Sequence, residues 1–171
     1  MKFLQLLLFG RRAPRHHIPD SRRRTRAVAP SDPELLALWH ELRREYFPDR
    51  PDIDGYRVVW SARPQKRVLA TCFPTKSLVK VARELREPSY VEWLAPLLYH
   101  EMCHAYLGKV ANAGGRLMWH GPEFRALEAR HPGTAQLNRW MNNGGWSSAV
   151  RRDRARRAAL ARHRPRASVR R

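Results

Sequence analysis

The apolar positions of this chain change period along its length, and those changes divide it into elements. Residues 10–30 show no periodicity and read as a linker. A helical pattern begins at Ser31-Asp32-Pro33-Glu34, which has the form of a capping box, serine followed three residues later by glutamate. Leu35, Leu38, Trp39, Leu42 and Tyr46 then share one stripe, which predicts a core-facing helix to about Phe47. Pro48 and Pro51 end it, and His40 lies off the stripe. Three short runs rich in branched and aromatic residues follow: Tyr56–Trp60, Arg67–Cys72 and Ser77–Val81. Proline-containing turns separate them, and they predict strands.

Helical spacing then returns. Ser89-Tyr90-Val91-Glu92 is a second capping-box pattern, but Pro96 follows, and a proline inside a helix costs about 3 kcal/mol. The consistent prediction is a helix or kinked segment from about Ser89, with Pro96 in a new first turn. His100 to Leu107 is then regular, and Gly108 is the stop. Asn112-Ala113-Gly114-Gly115 is flexible enough to return the chain. Gly121-Pro122 suits the start of another helix, Phe124 to Arg130, which His131-Pro132-Gly133 breaks. Leu137 and Trp140 are expected to cover the core, and Asn142–Gly145 to mark the end of the compact domain. The fold class expected is α+β: a small three-stranded sheet packed on the central helix, with an N-terminal helix and a C-terminal helical segment.

The chemistry gathers on that central helix, at His100-Glu101-Met102-Cys103-His104. Residues four apart on a helix project side by side, so His100 and His104 can hold one Zn²⁺. Glu101, on a neighbouring face, is placed to act as a general base towards water at the metal. A catalytic zinc site needs a third protein ligand, and His120 in Trp119-His120-Gly121-Pro122-Glu123-Phe124 fits; Glu123 or Glu128 in its place stays open. The metzincin pattern fails, because it needs glycine and histidine where this chain has Leu107 and Val110; Met141 then reads as packing. Cys103 reads as a small buried apolar residue, and His40 and His131 as exposed histidines.

These segments together resemble the SprT-like metalloprotease domains, in which a β-hairpin region precedes an HExxH helix, a loop and a His-Gly-x-x-Phe segment. The match runs from roughly Tyr56 to Trp140, through Tyr99–Ala105, Gly114-Gly115-Arg116 and His120–Phe124. The resemblance implies metal ligands at His100, His104 and His120, a catalytic Glu101 and a Zn²⁺ cofactor. It also implies a sheet packed behind the zinc helix, with an edge that can take a substrate backbone as an added strand. Larger members carry a zinc ribbon with paired CxxC. This chain has only Cys72 and Cys103 and resembles a minimal form without the ribbon.

Composition adds partners. With 171 residues there is room for one modest core, and two distant cysteines give no disulfide framework, which fits a reducing cytoplasm. The formal net charge is +19, and most of it sits in two arms. Arg11–Arg26 holds seven arginines against Asp20, and Arg151–Arg171 holds ten against Asp153. Such arms attract polyanions through counterion release without reading sequence, so nucleic acid, DNA foremost, is the expected partner. Arg151–His163 has helix-forming composition and is expected to order on nucleic acid. The division expected is a basic arm over residues 1–30, the domain over 31–148 and an arginine-rich tail over 149–171.

The apolar start Met1–Phe9, broken by Gln5, is too short to span a bilayer and no cleavage site follows it, so no membrane role is expected; within it lies Gln5-Leu6-Leu7-Leu8-Phe9. It resembles the Gln-Leu-x-Leu-Phe peptide with which bacterial replication and repair proteins dock on the sliding clamp, through Gln5, Leu6, Leu8 and Phe9. The competing reading is an apolar segment tucked on this protein's own core. The function expected is a zinc metallopeptidase, cytoplasmic and nucleoid-associated, acting on DNA-bound or DNA-crosslinked proteins. The alternative is a non-catalytic zinc-containing DNA- or replisome-binding protein.

Overall fold

The computed structural model describes residues 30–108, 110–111 and 117–162. The clamp-like peptide Gln5–Phe9, the first basic arm and Gly114-Gly115-Arg116 lie outside the described residues. So do residues 163–171.

Helix α1 spans Pro33–Tyr46. Its cap is Asp32, whose carboxylate accepts the Leu35 N–H at 3.3 Å, with Pro33 at the first position where no N–H is needed. Ser31 is therefore not the cap expected from the capping-box pattern. Its hydroxyl instead accepts the Val58 N–H at 3.2 Å, and the Asp32 N–H donates to the Val58 carbonyl at 2.9 Å. The sheet takes the serine, and the next short acceptor along the chain caps the helix. Leu35, Trp39 and Leu42 are buried, as the stripe requires, and the Trp39 indole N–H donates to the Ile53 carbonyl.

Strands β1 (Arg57–Trp60), β2 (Ala70–Phe73) and β3 (Leu78–Val81) form one mixed sheet in the order β1-β3-β2. β1 runs parallel to β3 with Val58 beside Val79; β2 runs antiparallel with Cys72 beside Val79. The β2–β3 link is a 3₁₀ turn, Pro74–Lys76, closed by Ser77 in the left-handed region at φ 43°. β1 and β2 are thus the two outer strands.

A 3₁₀ turn at Arg83–Arg86 and another at Pro88–Trp93 lead into α2, Leu94–Leu107. The segment expected to start near Ser89 is therefore 3₁₀ before it is α. Pro96 falls in the first turn of α2, where backbone N–H groups have no intrahelical acceptor, so it disturbs nothing. Gly108 ends the helix at φ 62° and donates its N–H to the His104 carbonyl. The return passes through a short antiparallel pair, β4 (Val110–Ala111) and β5 (Leu117–Met118), then α3 (Pro122–Glu128) and α4 (Thr134–Asn142). α2 lies at the centre of the molecule, against α1, β2, α3 and α4, and buries Leu98, Tyr99, Met102 and Cys103.

The last element differs from expectation. Asn142–Gly145 does not close the domain, because α5 begins at Gly145 and continues to Arg162. Trp146, Ala149 and Asp153 are buried along it, a stripe at helical spacing, and α5 rests on α4 and the Arg83–Arg86 turn. The division drawn at residue 148 falls inside this helix. Among the described residues no helix is long and apolar enough to cross a membrane.

Candidate metal centre

α2 presents His100 and His104 one turn apart, with ring centroids 4.9 Å apart. His120 arrives from the bend just before α3, and its ring centre lies 5.3 Å from that of His100 and 4.7 Å from that of His104. One ligand atom from each of the three lies within 4.8 Å of the others. His104 Nε2 and His120 Nε2 are 3.1 Å apart. Two ligands on a tetrahedral Zn²⁺, each about 2.0–2.1 Å from it, stand about 3.3 Å apart, so the spacing fits one small divalent ion. The donor set fits too, since three neutral imidazoles leave a fourth position open.

The approach of His120 is set by packing. Phe124, only 1% exposed, touches all three imidazoles, with centroids 5.1 Å from His100, 4.5 Å from His104 and 4.7 Å from His120. Trp119 closes on His104 from another side, edge to face at 5.4 Å. α3 is anchored to α2 by the Tyr99 hydroxyl, which donates to the Leu127 carbonyl at 2.8 Å.

Glu128 is not in the ligand group. Its Oε1 lies 2.6 Å from His100 Nδ1. An ionised carboxylate only accepts, so Nδ1 carries the hydrogen and Nε2 is left to face the other two histidines. Glu123, the other acidic candidate for the third ligand, is exposed and also outside the group. Sequence spacing gave no reason to pair Glu128 with His100.

The electrostatics follow from burial. His104 is pushed down to about 2 by burial and by the neighbouring His100 and His120, so it is neutral at ordinary pH. His120 is lowered by burial and by His100. Burial also works against a charged His100, but the Glu128 hydrogen bond and the charges of Glu101 and Glu128 outweigh it, and its pKa is raised. Neutral imidazoles are the form a metal needs.

Glu101 is 4% exposed. Burial raises its pKa, opposed by His100 and by the backbone N–H of Cys72, which donates to the carboxylate. β2 therefore touches Glu101 through its main chain. The Cys72 and Cys103 thiols are both pushed up to about 12, first by burial, so neither is a thiolate nucleophile. Cys103 is fully buried, as expected. His131 is half-buried rather than exposed, between the Tyr46 and Tyr99 rings, and its Nδ1 accepts the Gly133 N–H at 3.0 Å. His40 is also half-buried, with Nε2 3.4 Å from the Asp54 carbonyl oxygen.

A search of curated proteins finds no match. A family model does match, that of the SprT-like family, over residues 35–143. That span takes in α1, the three-stranded sheet, the histidine cluster and α4, well over half of the 171 residues. The family is generally a metallopeptidase-type domain. A helix with two histidines one turn apart, a third histidine brought beside them and a family match across the whole arrangement lead to one conclusion: this chain belongs to the SprT-like family.

Proposed function

We propose that the protein is a zinc-dependent peptidase acting on proteins bound or crosslinked to DNA. The observation that carries the reading is the convergence of His100, His104 and His120 beside a buried Glu101 within a SprT-like domain. His100, His104 and His120 would hold the Zn²⁺. When bound there, the metal supplies Lewis acidity at its open position, activating water and polarising a peptide carbonyl.

The remaining work falls to the chain. Glu128 holds His100 in the tautomer that presents Nε2. The Glu101 carboxylate takes a proton from the attacking water and returns it to the departing amine, a task suited to a carboxyl whose pKa is raised by burial. The Cys72 N–H fixes that carboxylate and so aligns it with β2. Phe124 packs against the three imidazoles and holds them together. Among the described residues β2 is an outer strand beside Glu101, so its outer edge is where an extended substrate backbone would add.

The two arginine arms support DNA as the surface on which substrates are met. Gln5, Leu6, Leu8 and Phe9 would add docking on a sliding clamp and, with the arms, a nucleoid location. Replacing Glu101 by Gln tests the reading. Cleavage of a DNA-bound protein should vanish while one zinc per chain is retained by elemental analysis. Undiminished cleavage would remove Glu101 from the mechanism, and no cleavage by the wild type would leave the non-catalytic zinc-containing DNA-binding alternative. For the clamp, equal recovery in a pull-down with wild type and with Gln5→Ala/Phe9→Ala would end that proposal.

A further inference from the structure

Away from the histidines, α5 and the end of β1 flank a cleft of about 480 Å³ lined by Trp60, Arg83, Arg86, Arg156, Arg157 and Leu160, together with Ser61 and Ala62. We propose that this cleft binds single-stranded DNA, its arginines holding phosphates and Trp60 stacking on a base. The proposal deepens the DNA association suggested above and does not depend on peptidase chemistry.

Four guanidiniums face the cleft, and among the described residues its lining holds no carboxylate. The nearest acid lies beneath. Asp153, 2% exposed, accepts from Arg156 Nη2 at 3.0 Å and from Arg157 Nε at 2.6 Å. A guanidinium has five N–H donors, and each of these bonds takes one. Asp153 thus fixes two arginines from below rather than neutralising the opening. Across the cleft, Arg83 donates to the Ala62 carbonyl at 3.3 Å, and Arg86 pairs loosely with Asp32 at 3.7 Å while its guanidinium lies 5.9 Å from the centre of the Trp60 ring. Two guanidiniums from each wall, aimed at one space, suit a phosphate backbone better than a single anion.

The apolar groups narrow the class further. Leu160 is 66% exposed although it sits on an arginine-rich helix, and the half-buried Trp60 lies opposite. Aromatic and apolar surface between arginines is what a splayed base contacts. A duplex keeps its bases inside and could not place one against Trp60. A volume of about 480 Å³ lies within the roughly 300–1,000 Å³ typical of ligand sites. The cleft is built on β1, the outer strand opposite β2, so DNA held here leaves the β2 edge beside Glu101 open.

The test must separate this site from the charged arms. Binding of fluorescein-labelled dT20 to the full chain is measured by anisotropy across a salt series. The variants are Arg83→Gln/Arg86→Gln, Arg170→Gln/Arg171→Gln as a control of equal charge change, and Trp60→Leu. The cleft pair should flatten the slope of log K against log salt by about 1.4 and weaken binding several-fold more than the tail pair. Trp60→Leu should weaken binding by about 5- to 160-fold without changing that slope. Equal losses from the two arginine pairs would overturn the proposal. So would competition by a poly-glutamate peptide as effective as unlabelled dT20, which would make the cleft a general anion surface.

Should either cleft variant fail to fold, 5-bromodeoxyuridine photocrosslinking of the wild type decides. Crosslinks are expected on the peptide containing Trp60, and crosslinks confined to residues 163–171 would refute the site. Retained dT20 binding by a chain that carries one zinc yet cleaves no DNA-bound protein would sink the peptidase reading while leaving this one standing.

Discussion

Glu128 Oε1 stands 2.6 Å from His100 Nδ1, joining the end of α3 to the middle of α2. The contact does for His100 what no local residue does, fixing which nitrogen faces the other two histidines. Carboxylates in this position typically change metal affinity by about 10–100-fold when removed. Glu128→Ala should therefore bind zinc about 10–100-fold more weakly in a chelator competition. Unchanged affinity would mean that the orientation of His100 is set elsewhere.

Phe124 lies against all three imidazoles and is buried by α2. Phe124→Ala should cost about 3–5 kcal/mol in urea unfolding of the metal-free protein. Phe124→Leu keeps much of the volume and should cost less, yet still loosen His120. A full loss of stability with unaltered zinc affinity would separate packing from the site.

Gly145 begins α5 with the Trp140 ring directly over it. A Cβ at this position would lie 2.2 Å from ring atoms of Trp140, which itself stacks on Trp93 at 5.2 Å. Gly145→Ala should displace the indole and destabilise the domain by about 1–3 kcal/mol. A thermal midpoint equal to that of the wild type would show that the ring moves freely.

Asp153 is buried, which alone would raise its pKa, but the hydrogen bonds from Arg157 and Arg156 outweigh burial and hold it below the ordinary carboxylate value. A carboxyl lowered on folding adds stability that is fully present above the unfolded pKa, about 3.9, and lost as pH falls through the folded one. The stability difference between wild type and Asp153→Asn should hold constant above about pH 5 and shrink below about pH 4. A difference independent of pH would mean that the carboxylate is not ionised in the folded state.

Several of these relationships lay beyond the sequence for identifiable reasons. The stripe on α1 and the branched runs of the sheet were readable because burial on one side imposes a period. The capping residue was not, because Ser31 and Asp32 are both competent acceptors, and the choice rests on Val58 across the chain. α5 read as a detached tail because its arginines mask a narrow buried stripe of Trp146, Ala149 and Asp153. His131 read as exposed because nothing near it in sequence reveals the Tyr46 and Tyr99 rings.

What the amino-acid order by itself determined was the pairing of His100 with His104, since helix geometry alone puts them on one face, and the presence of Glu101 beside them. Tertiary structure decided the rest: His120 rather than Glu123 or Glu128 beside that pair, Glu128 behind His100, and β2 rather than β1 against Glu101. The reason is one of range. Backbone periodicity fixes neighbours within a turn, whereas groups 16 or 28 residues apart meet only when α3 packs on α2 and the core closes between them.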